Sequence, residues 1–199
     1  MKSYPSIGTK IIRTKVWVFD KLDGSNIRVE WSDKKGFYKF GSRNKLIDEN
    51  HPVFGEAVDL IKEKEEKLTS IFTKHQWDRV VAFFEYYGLN SFIGSHKDED
   101  HTVTLIDVNV YKHGMLEPAH FIELFGDVGI PKILYIGMVD EKLISDVKQG
   151  ILNGMTFEGV VCKFKQKNQV KMFKVKNRDW IDRLKKYCNG NDVLFRKLV

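Results

Sequence analysis

Lysine and glutamate residues in widely separated segments supply the groups that nucleotidyl transfer needs. The first segment is Lys21-Leu22-Asp23-Gly24, in which a lysine lies beside a predicted tight turn. Glu85 and Glu158 follow in strand-like segments, and Lys174 and Lys176 alternate with apolar residues later in the chain. The first lysine could act as a nucleophile. The carboxylates could hold ribose hydroxyls and a metal ion, and the late lysines could neutralise phosphate.

Each of these segments also has a simpler explanation when it is taken alone. Lys-x-Asp-Gly is typical of an ordinary hairpin turn with an exposed lysine. Glu85 and Glu158 could be carboxylates that find partners in the core or at a sheet edge. The alternation of Lys174 and Lys176 with apolar residues also fits a half-buried strand with a solvated lysine face. The prediction of a site therefore depends on the ordered set.

A lysine that attacks phosphorus must first lose its proton. Free lysine, with a pKa of about 10.4, is almost wholly charged at neutral pH. We expect partial burial and the positive charges of Lys174, Lys176 and a bound Mg²⁺ to lower the pKa of Lys21. We also expect the Asp23-Gly24 turn to present Lys21 at a sheet edge, where glycine would let a nucleotide approach the backbone.

The composition indicates one folded domain with a basic balance. The chain has 199 residues, of which 42% are hydrophobic and 13% aromatic, enough for a substantial core. The 33 lysines and arginines exceed the 27 acidic residues and give a net charge of +6. This balance suits a polyanionic partner such as nucleic acid, although many folded proteins are mildly basic.

Other classes of protein are not favoured by the sequence. The two cysteines and six histidines show no spacing typical of a structural zinc site. The N-terminus lacks an apolar signal core, and no apolar run reaches the roughly 18 residues that a membrane span needs. The sequence therefore predicts a soluble, cytoplasmic protein without a membrane segment.

The hydrophobic pattern predicts an α+β fold with largely antiparallel sheets flanked by helices. Strands are expected on both sides of the Asp23-Gly24 turn, with the next strand continuing the meander. The charged run at 62–67 predicts a solvated helix face with no catalytic role. The predicted strands are 16–19, 26–31, 37–41, 79–87, 102–111, 157–164 and 170–175, and the predicted helices are 52–72, 118–125, 140–149 and 177–187.

The ordered segments resemble the motifs of the covalent nucleotidyltransferase superfamily, which contains ATP-dependent ligases and mRNA capping enzymes. Lys21-Leu22-Asp23-Gly24 resembles the first motif, Glu85-Tyr86-Tyr87-Gly88 the third, and Ile106-Asp107-Val108 the intermediate strand motif. Glu158-Gly159-Val160-Val161 resembles the fourth motif and Lys174-Val175-Lys176 the fifth. The resemblance covers roughly residues 19–177 and implies an ATP-grasp-like ligase adenylation domain, with residues 1–199 as a single domain.

Within the superfamily, the residues after the lysine resemble those of RNA ligases. Gly24-Ser25-Asn26 is similar to the segment of nick-sealing RNA ligases and RNA-editing ligases, whereas DNA ligases and capping enzymes commonly carry arginine at the position of Asn26. Ser42-Arg43 resembles the next motif, whose arginine supports the ribose and the 5′ phosphate. Asp23 departs from this pattern and resembles DNA ligases, because those RNA ligases often have histidine there.

The resemblance implies a reaction and a role for each matching residue. Lys21 would take AMP from ATP as a phosphoramidate, AMP would pass to a 5′-phosphate end, and a 3′-hydroxyl would displace it to seal the strand. Asp20 would contact the adenine edge, and Glu158 would place Mg²⁺ or Mn²⁺. The implied nucleotide-binding residues are Asp20, Asn26, Arg43, Glu85, Lys174 and Lys176, with the ribose assigned to Glu85 and the α-phosphate to the two lysines.

The sequence therefore predicts an ATP-dependent polynucleotide ligase for RNA with 5′-phosphate and 3′-hydroxyl ends. A minimal DNA ligase, a guanylyltransferase and a catalytically silent nucleic-acid-binding module of the same fold stay open as alternatives. Nothing after Asn177 matches the oligonucleotide-binding-fold domain that DNA ligases and capping enzymes usually carry. We expect a monomer that grips RNA or DNA with its own surface or with an accessory domain or protein.

Overall fold

The computed structural model describes residues 1–89 and 98–199, which fold into strands and helices that alternate along the chain. None of the helices within these two ranges combines the length and the apolar character needed to cross a membrane. The strands are β1 (Lys15–Asp20), β2 (Ser25–Ser32), β3 (Gly36–Ser42), β4 (Leu46–Ile47), β5 (Arg79–Tyr87), β6 (Thr102–Val110), β7 (Gly114–Met115), β8 (Ile133–Met138), β9 (Gly159–Gln166) and β10 (Gln169–Lys176). The helices are α1 (Gly55–Lys62), α2 (Glu65–Lys74), α3 (Pro118–Gly129), α4 (Glu141–Gln149), α5 (Arg178–Cys188) and α6 (Asp192–Leu198).

These strands form two antiparallel sheets, which confirms the predicted α+β architecture. The four-stranded sheet has the order β10-β9-β1-β8, and the six-stranded sheet has the order β4-β3-β2-β5-β6-β7. Helices α1, α2 and α3 pack on the larger sheet, and α4 packs on the smaller one.

The chain passes from one sheet to the other through residues 21–24. β1 pairs with β8 and β9, whereas β2 pairs with β3 and β5. The strands on both sides of the Asp23-Gly24 turn are confirmed, but the expected meander is wrong for β1 and β2, because other strands occupy both edges of each. As a consequence, Lys21 lies between the two sheets and not at the edge of one of them.

Each sheet buries an apolar core under its helices, and its opposite face lines the cleft with both polar and apolar residues. On β9, Val160 and Cys162 belong to the core under α4, while Val161 and Lys163 line a cavity between the sheets. Successive strand residues point to opposite faces, so the same strands can build a core and a polar cleft.

Several elements differ from the expected ones. The expected helix over 52–72 is two helices, because the chain tightens after α1 and the Lys64 N–H bonds to the Ile61 carbonyl at 3.0 Å. The strand expected from residue 157 begins at Gly159. β8 was not predicted, since it lies at a sheet edge and leaves Ile136 and Met138 exposed. Helix α6 was not predicted either, and it buries no residue.

Candidate active site

A cavity of about 690 Å³ lies between the two sheets, and every residue predicted for the site lines it. The predicted residues reach it from the strands and from the connections beside them. The structure thus brings together Lys21, Asp20, Asn26, Arg43, Glu85, Glu158, Lys174 and Lys176 around one space.

Glu158 lies at the centre of this site, between two lysines. Lys21 Nζ donates to Glu158 Oε2 at 2.9 Å, and Lys176 Nζ donates to Glu158 Oε1. The side chains of Glu158 and Lys176 are both almost fully buried, at 5% and 6% exposed. A buried carboxylate between two ammonium groups is satisfied electrostatically, and its replacement would leave buried charge without a partner.

Gly159 explains how this cluster is held together. The Lys21 N–H donates to the Gly159 carbonyl at 3.0 Å, and Gly159 pairs with Lys176 across the β9–β10 ladder. Gly159 has φ +134°, and a Cβ at this position would lie 2.2 Å from the Val175 carbonyl oxygen. Only glycine fits there without a shift of the backbone, which explains the Glu-Gly pair at the start of β9.

The structure corrects the expected ionisation of Lys21. Burial lowers the pKa of the amine, but the carboxylates of Glu158, Glu85 and Asp23 raise it more, so the pKa lies above its ordinary value. The sequence-based expectation of a lowered pKa is therefore wrong for the protein without nucleotide. Lys21 is an ammonium group at neutral pH and must lose a proton before it can attack.

Lys174 and Lys176 show the opposite shift. Burial lowers the pKa of Lys176 to about 8; Glu158 opposes this shift, and the neighbouring Lys21 adds to it. Burial and Lys21 also lower the pKa of Lys174. Both amines lie on one face of β10, as their alternation with apolar residues predicts. Lys176 Nζ also lies 3.5 Å from the centre of the Trp180 ring, a distance that permits a cation–π contact.

Glu85 faces Lys21 from the other sheet. It is half-buried near the end of β5, opposite Asn26 of β2. Burial raises the pKa of Glu85 to about 7, Lys21 lowers it, and the carboxylates of Glu158 and Asp23 raise it. Glu85 is thus a carboxyl group that changes charge near neutral pH.

Gly24 allows the connection that carries Lys21 to lie against β5. A Cβ at Gly24 would lie 2.3 Å from the Tyr86 carbonyl oxygen. The space beside Gly24 is therefore filled by protein backbone. This crowding requires a glycine at this position of the first motif, which also lines the cavity.

The remaining predicted residues lie at the inner wall and at the mouth of the cavity. Asp20 is buried at the end of β1, and its Oδ1 accepts from the Thr156 N–H at 2.9 Å. Asn26 donates to the Phe84 carbonyl at 3.2 Å, and its buried Oδ1 has no hydrogen-bond partner within residues 1–89 and 98–199. Arg43 is exposed. Asn26 thus offers an acceptor that a ligand hydroxyl or amine could fill.

Sequence reasoning missed a second buried ion pair in the cavity wall. Lys163 Nζ lies 2.8 Å from Asp107 Oδ2 and donates to the Ile106 carbonyl at 2.6 Å. Burial lowers the pKa of Lys163, and Asp107 opposes this shift. A single lysine within the apolar run of β9 is a signal that could have identified this residue.

The N-terminal segment also contributes to the wall, and no sequence signal marked it. The Tyr4 hydroxyl donates to Asp107 Oδ2 at 2.5 Å, and its ring packs against Phe83 with 5.1 Å between centres. The Gly8 carbonyl accepts from the Lys174 N–H at 2.8 Å. This segment therefore joins β10 to the cleft face of the larger sheet.

The carboxylates fit a metal ion that is shared with a ligand. Within the described ranges no group of three or more histidine, cysteine, aspartate or glutamate residues could hold a metal ion by itself. Mg²⁺ commonly uses one or two carboxylates together with substrate phosphates. Glu158 and Glu85 are the carboxylates that could serve in this way.

The chain is similar to known proteins both in sequence and in structure. The family model described as RNA ligase matches residues 14–176, more than half of the chain. None of the curated proteins compared with the chain matches it.

Solved structures share the fold of the chain. One is a Naegleria gruberi RNA ligase mutant with ATP and Mn, 17% identical, with a TM-score of 0.57, covering 85% of this chain and 51% of its own. Another is a Naegleria gruberi RNA ligase mutant with AMP and Mn, 18% identical, with a TM-score of 0.58, covering 85% and 51%. A protein designated an ATP-dependent DNA ligase from Aquifex aeolicus is 20% identical, with a TM-score of 0.66, covering 100% of this chain and 59% of its own. The chain thus spans 51% to 59% of the length of these structures.

Proposed function

The chain belongs to the RNA ligase family, and from this premise we propose that it is an ATP-dependent polynucleotide ligase that seals RNA through a lysyl-AMP intermediate. The observation that carries the proposal is the cluster in which Lys21 and Lys176 share Glu158, inside the cavity lined by every predicted site residue. ATP and a divalent metal ion are proposed as its cofactors, because the Naegleria gruberi RNA ligase structures contain ATP or AMP together with Mn.

In the first step, Lys21 Nζ attacks the α-phosphorus of ATP. The Nζ–phosphorus bond forms, the bond to the bridging oxygen breaks, and pyrophosphate leaves with the electron pair. The Lys21 ammonium must first release its proton to water, so its ion pair with Glu158 must weaken when the nucleotide binds. When bound, a divalent cation supplies positive charge at the phosphates, and Glu158 and Glu85 are the residues that would hold it.

Other residues of the cavity would position the nucleotide. Lys174 and Lys176 carry positive charge on one face of β10 and would compensate charge on the α-phosphate. Asn26 Oδ1 is a buried acceptor that could receive a ribose hydroxyl. Asp20 at the inner wall would face the adenine edge. In the following steps AMP passes to a 5′-phosphate end, and a 3′-hydroxyl displaces it.

RNA is the proposed substrate because Asn26 and Arg43 match the RNA ligase pattern and the family model is that of RNA ligases. A minimal DNA ligase is the second candidate. Two observations favour it, the aspartate at position 23 and the match of the Aquifex aeolicus protein over the whole chain. A silent binding module is not favoured, because a binding surface has no need of a costly buried cluster of lysines around a glutamate.

Matched nicks test the proposed function. The protein is incubated with ATP, Mg²⁺ and 5′-phosphorylated nicks that differ only in the sugar at the 3′-hydroxyl side, across a salt series. We expect faster sealing with a 3′-terminal ribonucleotide, and sealing that falls steeply with salt because phosphate contacts dominate the binding of nucleic acid. Faster sealing of all-DNA nicks at every salt concentration would assign the protein to the DNA ligases. A covalent adduct formed with GTP but not with ATP would instead identify a guanylyltransferase.

A further inference from the structure

Helix α6 brings positive charge to the cavity that the steps above do not use. Arg196 and Lys197 line the cavity together with Lys174 and Lys176 of β10. The helix lies after residue 176, beyond the segment that matches the family model. The positive charge that α6 adds to the cavity therefore comes from outside the motifs shared with the family.

The end of α6 reaches a lysine of the proposed phosphate site. Lys174 Nζ donates to a main-chain oxygen of Val199, so an oxygen atom of this segment occupies a position that a phosphate oxygen could take. Arg196 precedes Val199 by three residues, a rise of about 4.5 Å along a helix. The cations of α6 thus lie within reach of a polyphosphate whose α-phosphate is held by Lys174 and Lys176.

The two cations of α6 differ from those of β10 in their exposure. Lys176 is buried, whereas Arg196 and Lys197 are exposed. The apolar face of α6 packs through Leu194 and Phe195 on the small core formed with α5. A helix anchored on one side holds its charges at the rim of the cavity, where they stay hydrated. Exposed cations suit a charged group that must leave after the reaction.

We propose that Arg196 and Lys197 bind the β- and γ-phosphates of ATP and stabilise pyrophosphate as it departs. This inference rests on the proposed ligase function and assigns further binding residues to its first step. As the Lys21 Nζ–phosphorus bond forms and the bond to the bridging oxygen breaks, the electron pair passes to pyrophosphate. Negative charge then grows on the leaving group, and the two cations donate hydrogen bonds to it without changing their own protonation. Lys174 exchanges the main-chain oxygen of Val199 for a phosphate oxygen.

The test uses the full chain with both cations replaced, Arg196→Gln and Lys197→Gln. Single-turnover adenylation is measured with ATP, and the reverse reaction of lysyl-AMP with inorganic pyrophosphate is measured as a function of pyrophosphate concentration. Sealing of a pre-adenylated RNA end in the absence of ATP is measured in parallel, because this reaction bypasses the first step. The control variant carries Lys185→Gln and Lys186→Gln, which remove the same two charges from the exposed face of α5.

We expect adenylation of the α6 variant to fall about 10- to 100-fold, the loss that corresponds to a charged hydrogen bond. The pyrophosphate concentration for half-maximal reversal should rise by a similar factor. Sealing of pre-adenylated RNA and all reactions of the control variant should stay within about twofold of the parent, since surface changes are usually small.

Two results would overturn the inference alone. One is unchanged adenylation together with an unchanged pyrophosphate requirement. The other is normal adenylation with a loss of sealing from pre-adenylated RNA, which would assign the cations to the polynucleotide. A parent protein that forms no adduct would overturn the proposed function together with this inference. The pyrophosphate requirement does not depend on the fraction of folded protein, so partial unfolding of the variant would not obscure the result.

Discussion

On β9 and β10, buried apolar residues on one face alternate with residues that line the cavity on the other face. Phe173 and Val175 are buried in the core under α4, while Lys174 and Lys176 line the cavity on the other face. The outer face contributes burial of apolar surface, and the inner face holds charges that lose solvation. Alternate residues of β10 therefore serve different purposes, since one set stabilises the fold and the other lines the cavity. Replacements at neighbouring positions should have different effects.

Replacement of the nucleophile should have the largest effect. Lys21→Ala removes the amine, and Lys21→Arg keeps the positive charge beside Glu158 but cannot be deprotonated in a protein. We expect both variants to fold and to lose adenylation completely, as measured with labelled ATP. Adenylation of Lys21→Arg at the parental rate would show that a group other than Lys21 attacks the α-phosphorus.

Loss of a cavity lysine should slow adenylation by orders of magnitude. Lys176→Met removes a cation near the proposed α-phosphate and leaves Lys21 as the amine that contacts Glu158. We expect a decrease of about 100- to 1,000-fold in the single-turnover rate, as for other preorganised electrostatic contacts. A decrease below about threefold would place the phosphate elsewhere.

The adjacent core position should behave in the opposite way. Phe173→Ala deletes a side chain that is 1% exposed and packs against Phe164. We expect the free energy of unfolding to fall by about 3–5 kcal/mol in urea titrations. Adenylation per folded molecule should stay near the parental rate. A specific loss of adenylation without loss of stability would contradict the separation of the two faces.

At Glu85, the contrast between stability and adenylation can be measured by changing the pH. Burial raises its pKa from the ordinary 4.5 to about 7, so the folded state holds the proton more tightly than the unfolded state does. As pH rises between these values the unfolded state loses its proton first, and the stability of the parent falls. This loss, up to about 3 kcal/mol, is complete above pH 7.

Glu85→Gln should remove this dependence on pH. We expect the variant to gain stability over the parent at pH 8 relative to pH 4, while its adenylation is impaired. Urea titrations at the two pH values measure the difference. An equal difference in stability between parent and variant at both pH values would show that Glu85 ionises normally in the folded protein.

Lys64 provides the smallest expected effect and a control for the others. It lies between α1 and α2, in the charged run that the sequence assigns to a solvated face. Lys64→Ala should change stability by less than about 0.5 kcal/mol and leave adenylation unchanged. Damage comparable to that of Lys176→Met would mean that the site is misplaced.

The sequence predicts the composition of the site better than its electrostatics. The motif residues lie within strands, at their ends or in the connections beside them, so local patterns identify them, and the structure brings them to one cavity. The raised pKa of Lys21 could not be predicted, because it depends on Glu158 at 2.9 Å, a residue 137 positions away.

Local sequence patterns also could not predict the pairing of the strands or the outer parts of the cavity. A tight turn between β1 and β2 suggests a hairpin, but β8 and β9 from distant parts of the chain fill the edges of β1, and β3 and β5 fill those of β2. Tyr4 and Arg196 reach the cavity through tertiary packing alone.

The most direct test of the proposed function is to map the covalent adduct. The parent protein is incubated with ATP and Mg²⁺, digested and analysed by peptide mass spectrometry, with Lys21→Ala as the control. We predict one added AMP on the peptide that contains Lys21, and no adduct in the variant. An adduct on another residue, or an adduct that persists in Lys21→Ala, would contradict the assignment of Lys21 as the nucleophile. The absence of any adduct across metal ions and pH values would contradict the proposed reaction itself.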